Sequence, residues 1–213
     1  MKNKILVIIA LSVLSIPGMA QKKPLEDLRD KFMFGIKAGG NYSNVYDTQG
    51  DSFQSESRLG FVGGVFLAIP IGKFIGIQPE VLFSQKGFKA TGTILGSPYS
   101  VTRVTNYIDV PLLLSVKPLP ILTLVGGPQF SYLLKQTDTF SDSQTSSQQV
   151  QEFKDANIRK NIMGFVAGFD INPGRAVFGA RAGWDYMNNN GDGTTATPRY
   201  KNMWLQATLG IRF

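Results

Sequence analysis

Residues 203–213 read MWLQATLGIRF. Met203, Leu205, Ala207, Leu209, Ile211 and Phe213 alternate without a break with Trp204, Gln206, Thr208, Gly210 and Arg212. Successive side chains of a β-strand point to opposite faces, so a period of two is a strand with one apolar face. The same period recurs back along the chain. Phe32, Phe34 and Ile36 alternate with Met33, Gly35 and Lys37, and residues 59–69 form a glycine-rich strand. Ile75, Ile77, Val81 and Phe83 alternate with Gly76, Gln78, Glu80 and Ser84. Residues 101–116, 121–134, 161–171 and 176–187 behave likewise, for eight strands in all.

The connections are ordered too. Residues 41–57, 87–100, 135–160 and 188–199 are long stretches of Ser, Thr, Asn, Gln, Asp and Gly and read as loops. Between them stand short turns such as PIGK at 70–73, KPLP at 117–120 and NPG at 172–174. Long and short connections therefore alternate, as in a spanning barrel with an even strand number. The expected fold is all-β: an eight-stranded antiparallel up-and-down transmembrane β-barrel over residues 32–213.

The first twenty residues are an address. Lys2 and Lys4 precede the apolar run ILVIIALSVLSI at 5–16, and PGMA follows at 17–20. This is the layout of a secretory signal peptide cleaved after Ala20. The run would rise only about 18 Å as a helix, against a hydrocarbon core of roughly 30 Å. Its removal lowers the formal net charge from +7 to +5. Residues 21–31 (QKKPLEDLRDK) are a polar lead-in expected on the periplasmic side. Export then puts both termini in the periplasm and the long loops outside the cell, with the barrel in the outer membrane.

Composition removes several chemistries. The chain has no Cys and no His, which excludes disulfides, thiol nucleophiles, imidazole bases and His-ligated zinc. No catalytic site, cofactor site or metal site is expected, and the protein reads as a non-enzyme. Asp138, Asp142, Glu152 and Asp155 lack calcium-loop spacing and read as solvated loop acids. The glycines at 35, 39, 40, 60, 63 and 64 are not followed by a helix, so they are barrel glycines and not a nucleotide cradle. Lys and Arg are scattered, without the basic groove of a nucleic-acid binder.

The polar phase of the strands supplies the candidate site. Lys37, Gln78, Glu80, Asp109, Arg181, Asp185 and Arg212 are expected to line the lumen, with Glu80, Asp109 and Asp185 facing Lys37, Arg181 and Arg212. Eight strands leave an interior that side chains fill, so a paired polar plug is favoured over a pore. Phe32, Tyr42, Phe74, Tyr132, Trp184, Tyr186 and Phe213 are candidates for interfacial girdles. Alternation alone also permits the reverse polarity, a soluble periplasmic barrel around an apolar ligand. Pro79, Pro111 and Pro128 fall inside strands, where each removes a ladder donor, so either bulges accommodate them or the strand bounds differ from those read here.

Four stretches carry a family resemblance: IQPEVLFSQKG at 77–87, NYIDVPLLLSVKP at 106–118, GGPQFSYLL at 126–134 and FGARAGWDYMNN at 178–189. With Phe213 at the end, they resemble the PorT-like outer-membrane β-barrel proteins common in Bacteroidetes. The resemblance implies an outer-membrane barrel surrounded by lipid and inserted by the barrel-assembly machinery, with Phe213 as the C-terminal assembly signal. The family's founder is implicated in assembling the type IX secretion system, so assistance to that system is an alternative role. The leading expectation is a structural or partner-binding barrel, with loops 41–57 and 135–160 as candidate contacts for a protein partner.

Overall fold

Backbone amides and carbonyls in a membrane must find partners within the protein, and a closed ring of strands achieves this without leaving an edge. The computed structural model describes residues 27–49, 54–94, 97–142, 146–151, 158–189 and 199–213. The strands are β1 (Met33–Gln49), β2 (Gln54–Pro70), β3 (Ile75–Ile94), β4 (Ser97–Leu119), β5 (Leu122–Asp142), β6 (Ser146–Gln151), β7 (Asn161–Ile171), β8 (Ala176–Asp185) and β9 (Arg199–Arg212). Eight of them form an antiparallel up-and-down ring, with β5 passing to β7 and β9 closing on β1. The short β6 pairs with the far part of β5, from Gln136 to Ser141, outside the ring. The expected signal peptide, residues 1–20, lies outside the described residues, as do 21–26 of the lead-in.

Closure is made by the alternating segment read first. Ile36 stands opposite Ile211 and Tyr42 opposite Leu205. At the short-turn end the Phe213 amide donates to the Phe34 carbonyl at 2.7 Å, and the Phe34 amide donates back at 3.2 Å. Their rings stack with centroids 5.1 Å apart.

The polarity of the ring is inverted relative to a soluble barrel. Leu112 is 53 % exposed and Leu209 64 %, whereas Glu80 is 2 % exposed and Arg181 5 %. The outward apolar run on β9 covers residues 203–213, which fits the roughly 9–11 residues of a tilted spanning strand. All seven girdle candidates face outward. A soluble barrel built around an apolar ligand is incompatible with this arrangement.

Three of the expected loops are largely strand. β1 and β2 cover all of 41–57 except residues 50–53, and β3 and β4 cover all of 87–100 except 95–96. Within 135–160, β5 continues to Asp142 and β6 follows. These segments lack apolar alternation because they rise beyond the apolar band, where neither face meets lipid. Ladder pairing such as Ala90 with Val101 and Thr102 with Thr139 builds them instead. We call this side the extended end.

The prolines do not force bulges. Phe66 pairs with Glu80 and Ile69 with Ile77 in one unbroken register across Pro79, and Pro79 itself stands opposite Leu112. Pro111 lies opposite Gln129 and Pro128 opposite Phe165. Each omits one donor while the strand keeps its line. The register shifts fall elsewhere, between Tyr46 and Gln49 on β1, between Ser57 and Val62 on β2, and between Asn106 and Tyr107 and between Val116 and Leu119 on β4.

Two glycines are required by the backbone. Gly87 has φ of 149°, and a Cβ there would lie 2.0 Å from the Arg103 carbonyl oxygen. Gly174, at φ of 68°, makes the β7–β8 turn. By contrast, Gly72 opens onto free space. Gly87→Val should therefore lower the urea unfolding free energy by at least about 2 kcal/mol, the range for a strained backbone with an added clash. Gly72→Val should leave it within about 0.5 kcal/mol, as expected for a surface site. Tryptophan fluorescence in detergent micelles reads both.

Candidate functional site

Inward positions on the strands converge on the barrel axis, where eight strands leave room for side chains and little else. The lumen is built as layers. In the layer nearer the short turns, Glu80 on β3 is the hub. The Lys37 ammonium of β1 bonds its Oε2 at 2.5 Å. The Arg181 guanidinium of β8 reaches both Glu80 oxygens at 2.7 and 2.8 Å and the Asp170 carboxylate of β7 at 3.2 Å. Gln78 donates to Glu80 at 2.9 Å and to Asp170 at 3.2 Å. Two cations and two anions therefore neutralise each other in a region closed to solvent.

An apolar cluster shares the interior: Leu113, the cross-strand partner of Gln78, packs with Val125, Val166 and Trp204. Beside it, Lys86 of β3 bonds Asp109 of β4 at 3.0 Å. Its ammonium lies 3.6 Å from the centroid of the Trp204 ring and 5.0 Å from that of Tyr107. Such cation–π contacts strengthen when desolvated. Asp185 accepts from Asn202 at 2.6 Å.

Both mouths carry a cap. At the short-turn end Leu28, from the segment before β1, is buried against Met33 and Ala68. The Lys117 ammonium holds that segment by donating to the Arg29 carbonyl at 2.7 Å. Arg29 in turn clasps Asp27 at 2.8 and 2.9 Å. This hydrogen bonding holds the Asp27 carboxyl well below the usual carboxylate range, against a smaller opposing effect of desolvation. At the extended end Val45, Phe88, Ala90 and Tyr200 form a second apolar cluster. Arg103 binds Asp138 through two 2.7 Å hydrogen bonds and donates to the Tyr200 hydroxyl at 3.0 Å. Burial alone would pull the Arg103 pKa down, but Tyr200 and Asp138 outweigh it and raise the pKa, so the guanidinium stays charged.

The structure places the sequence-derived residues as follows. Lys37, Gln78, Glu80 and Arg181 meet in one network. Asp109 and Asp185 also face inward but belong to the neighbouring layer, with Lys86 and Asn202 as partners. Arg212 does not join the carboxylates. Its guanidinium donates to the Gly174 carbonyl at 2.8 and 3.1 Å and ties β9 to the β7–β8 turn. Arg212 pairs with Gly35, two positions nearer the short-turn rim than Lys37, and makes no ion pair with Glu80 or Asp170. Two members of the charge system were absent from the sequence reading, Lys86 and Asp170. Strand parity marks both, because Lys86 is in phase with Gln78 and Glu80, and Asp170 is out of phase with Phe169 and Ile171.

No grouping of three or more potential metal ligands occurs among the described residues. A family model for the outer membrane protein beta-barrel domain matches residues 19–187. The chain belongs to that family. Family membership places it in the outer membrane.

No curated protein matches. Among solved structures, the attachment invasion locus protein Ail of Yersinia pestis is 14 % identical, with 85 % of this chain and 98 % of that one covered and a TM-score of 0.47. Neisserial surface protein A is 11 % identical, with 84 % and 97 % covered and a TM-score of 0.47. OprG of Pseudomonas aeruginosa is 14 % identical, with 85 % and 95 % covered and a TM-score of 0.42.

The hub gives a measurable expectation. Removing one partner of a buried ion pair strands the other and costs about 3–5 kcal/mol. Glu80→Leu should lower the unfolding free energy by that amount in urea titrations. Glu56→Gln, at an exposed position of β2, should leave it within about 0.5 kcal/mol.

Proposed function

We propose that this outer-membrane barrel is a non-enzymatic scaffold that displays its extended end to a protein partner. The observation that carries this reading is the filled lumen. Among the described residues the inward side chains are buried and pair across the axis, with apolar clusters towards both ends, which supports a filled lumen over a solute path or a substrate site. What the rigid wall offers is its strand extensions and the loops above them, and loops on rigid scaffolds carry function. In this reading residues 1–20 direct export, both termini are periplasmic, and the segments 41–57 and 135–160 meet the partner outside the cell. Lipid surrounds the ring, and the barrel-assembly machinery inserts it with Phe213 as its recognition signal.

A second reading is assistance to type IX secretion. The four PorT-like stretches support it, and three of them lie side by side on β3, β4 and β5.

Planar-bilayer recordings of the purified protein should show no discrete conductance steps, and step-like currents would remove the filled-lumen reading. On intact cells, a photo-crosslinker at Lys135 should capture a partner protein while one at Lys73, beside a short turn, captures none from outside. Deleting the gene should leave secreted cargo unchanged. A loss of cargo would favour the secretion role instead.

A further inference from the structure

The outer wall is not uniformly convex. Beside the β1–β9 seam it carries a groove of about 580 Å³, within the roughly 300–1,000 Å³ of small-molecule sites. Ala182 forms its floor, and Tyr42, Trp184, Met203 and Leu205 form its sides. The concavity follows from side-chain size. Gly40, Ala207 and Ala180 stand side by side across β1, β9 and β8, and Ala182 faces Ala167 of β7. Large residues rise around this thin wall. The Trp184 ring is braced by Phe165 at a centroid distance of 5.4 Å. Tyr46 lies over the upper part, its hydroxyl donating across β9 to the Asp185 carbonyl.

We propose that this groove holds one phosphate-bearing membrane lipid, with an acyl chain against Ala182 and Leu205 and the headgroup at Lys201. The groove opens on the outer face at the upper edge of the apolar band, with the outward Tyr42, Trp184, Met203 and Leu205 around the buried Gly183 and Trp204, so the medium that fills it is the bilayer. Tyr and Trp side chains favour this depth, where acyl chains give way to headgroups. Lys201 is the next outward residue above Met203 on β9, and its ammonium lies 5.8 Å from the centroid of the Tyr46 ring. It bonds the Asp47 carboxylate, and an ammonium has three donors to share. Arg199, two residues further in the same phase of β9, adds a second cation above the groove. The rim therefore sets two cations against one carboxylate and complements a phosphate. A second barrel fits poorly, because a convex wall cannot fill a concave pocket.

Native mass spectrometry of the full barrel, with phosphatidylglycerol in one arm and diacylglycerol of the same chains in the other, tests this. Wild type should retain one phosphatidylglycerol per barrel, favoured at least about fivefold over diacylglycerol, the effect of one cation near an anionic lipid. Ala182→Leu should abolish retention of both lipids, and Met203→Trp should do the same by narrowing the mouth. Lys201→Met should bring phosphatidylglycerol down to the diacylglycerol level. A heat-dependent gel shift identifies the variants that have folded. Equal retention of the two lipids by wild type, retention unchanged in folded groove variants, or a dimer that excludes lipid would overturn the proposal.

Discussion

The hydrogen-bonded seam between β1 and β9 is the constraint on which the molecule depends. A sheet in hydrocarbon cannot leave an edge unpaired, because each orphaned amide or carbonyl costs several kcal/mol. The seam runs from Gly35 opposite Arg212 to Gln49 opposite Arg199. Once it is made, the alternation of every strand has a fixed meaning: one phase meets lipid and the other meets the axis. The charge layers, the caps and the outer groove are all consequences of that division.

Inside the ring, the low dielectric makes pairing obligatory. Glu80 alone would be costly at the axis, and so would Lys37 or Arg181. Together with Asp170 they form a neutral cluster with most of its hydrogen bonds made. A buried network of this kind does little for net stability compared with well-packed apolar side chains. It does fix which strand stands where, since Glu80 needs cations arriving from β1 and β8 at one level. Leu113, Val125, Val166 and Trp204 pack together inside the ring, and the Trp204 ring also meets the ammonium of the Lys86–Asp109 pair.

Much of this was legible in the sequence, and the parts that were not have physical reasons. Within the apolar band, alternation at Met203–Phe213 or Ile108–Val116 leaves one reading of strand and of which residues share a face, though not of which face turns to lipid. Above the band the pressure to alternate disappears, so Asn41–Ser57 looks like a loop although most of it is paired. Lys86 lies next to that change of rule, immediately before the expected loop 87–100. Which carboxylate meets which cation depends on register and strand tilt, and residue type carries neither. That is why Asp109 found Lys86, and Arg212 found a turn carbonyl. Pro79 and Pro128 read as disruptive because each removes a ladder donor, yet the pairs on either side hold the register across both.

The Tyr46 side chain starts on the first strand of the ring, passes over the last and ends on the carbonyl of Asp185 in the one before it. A hydroxyl fastened in this way works as a stitch across the joint where the two chain ends meet. Unzipping β1 from β9 at that end means breaking the stitch as well as the ladder. At the opposite end Phe34 and Phe213 lock the same joint by paired amides and stacked rings. With both ends of the joint secured, lateral opening toward the bilayer is resisted along its whole length, and the cylinder behaves as a permanently fastened hoop.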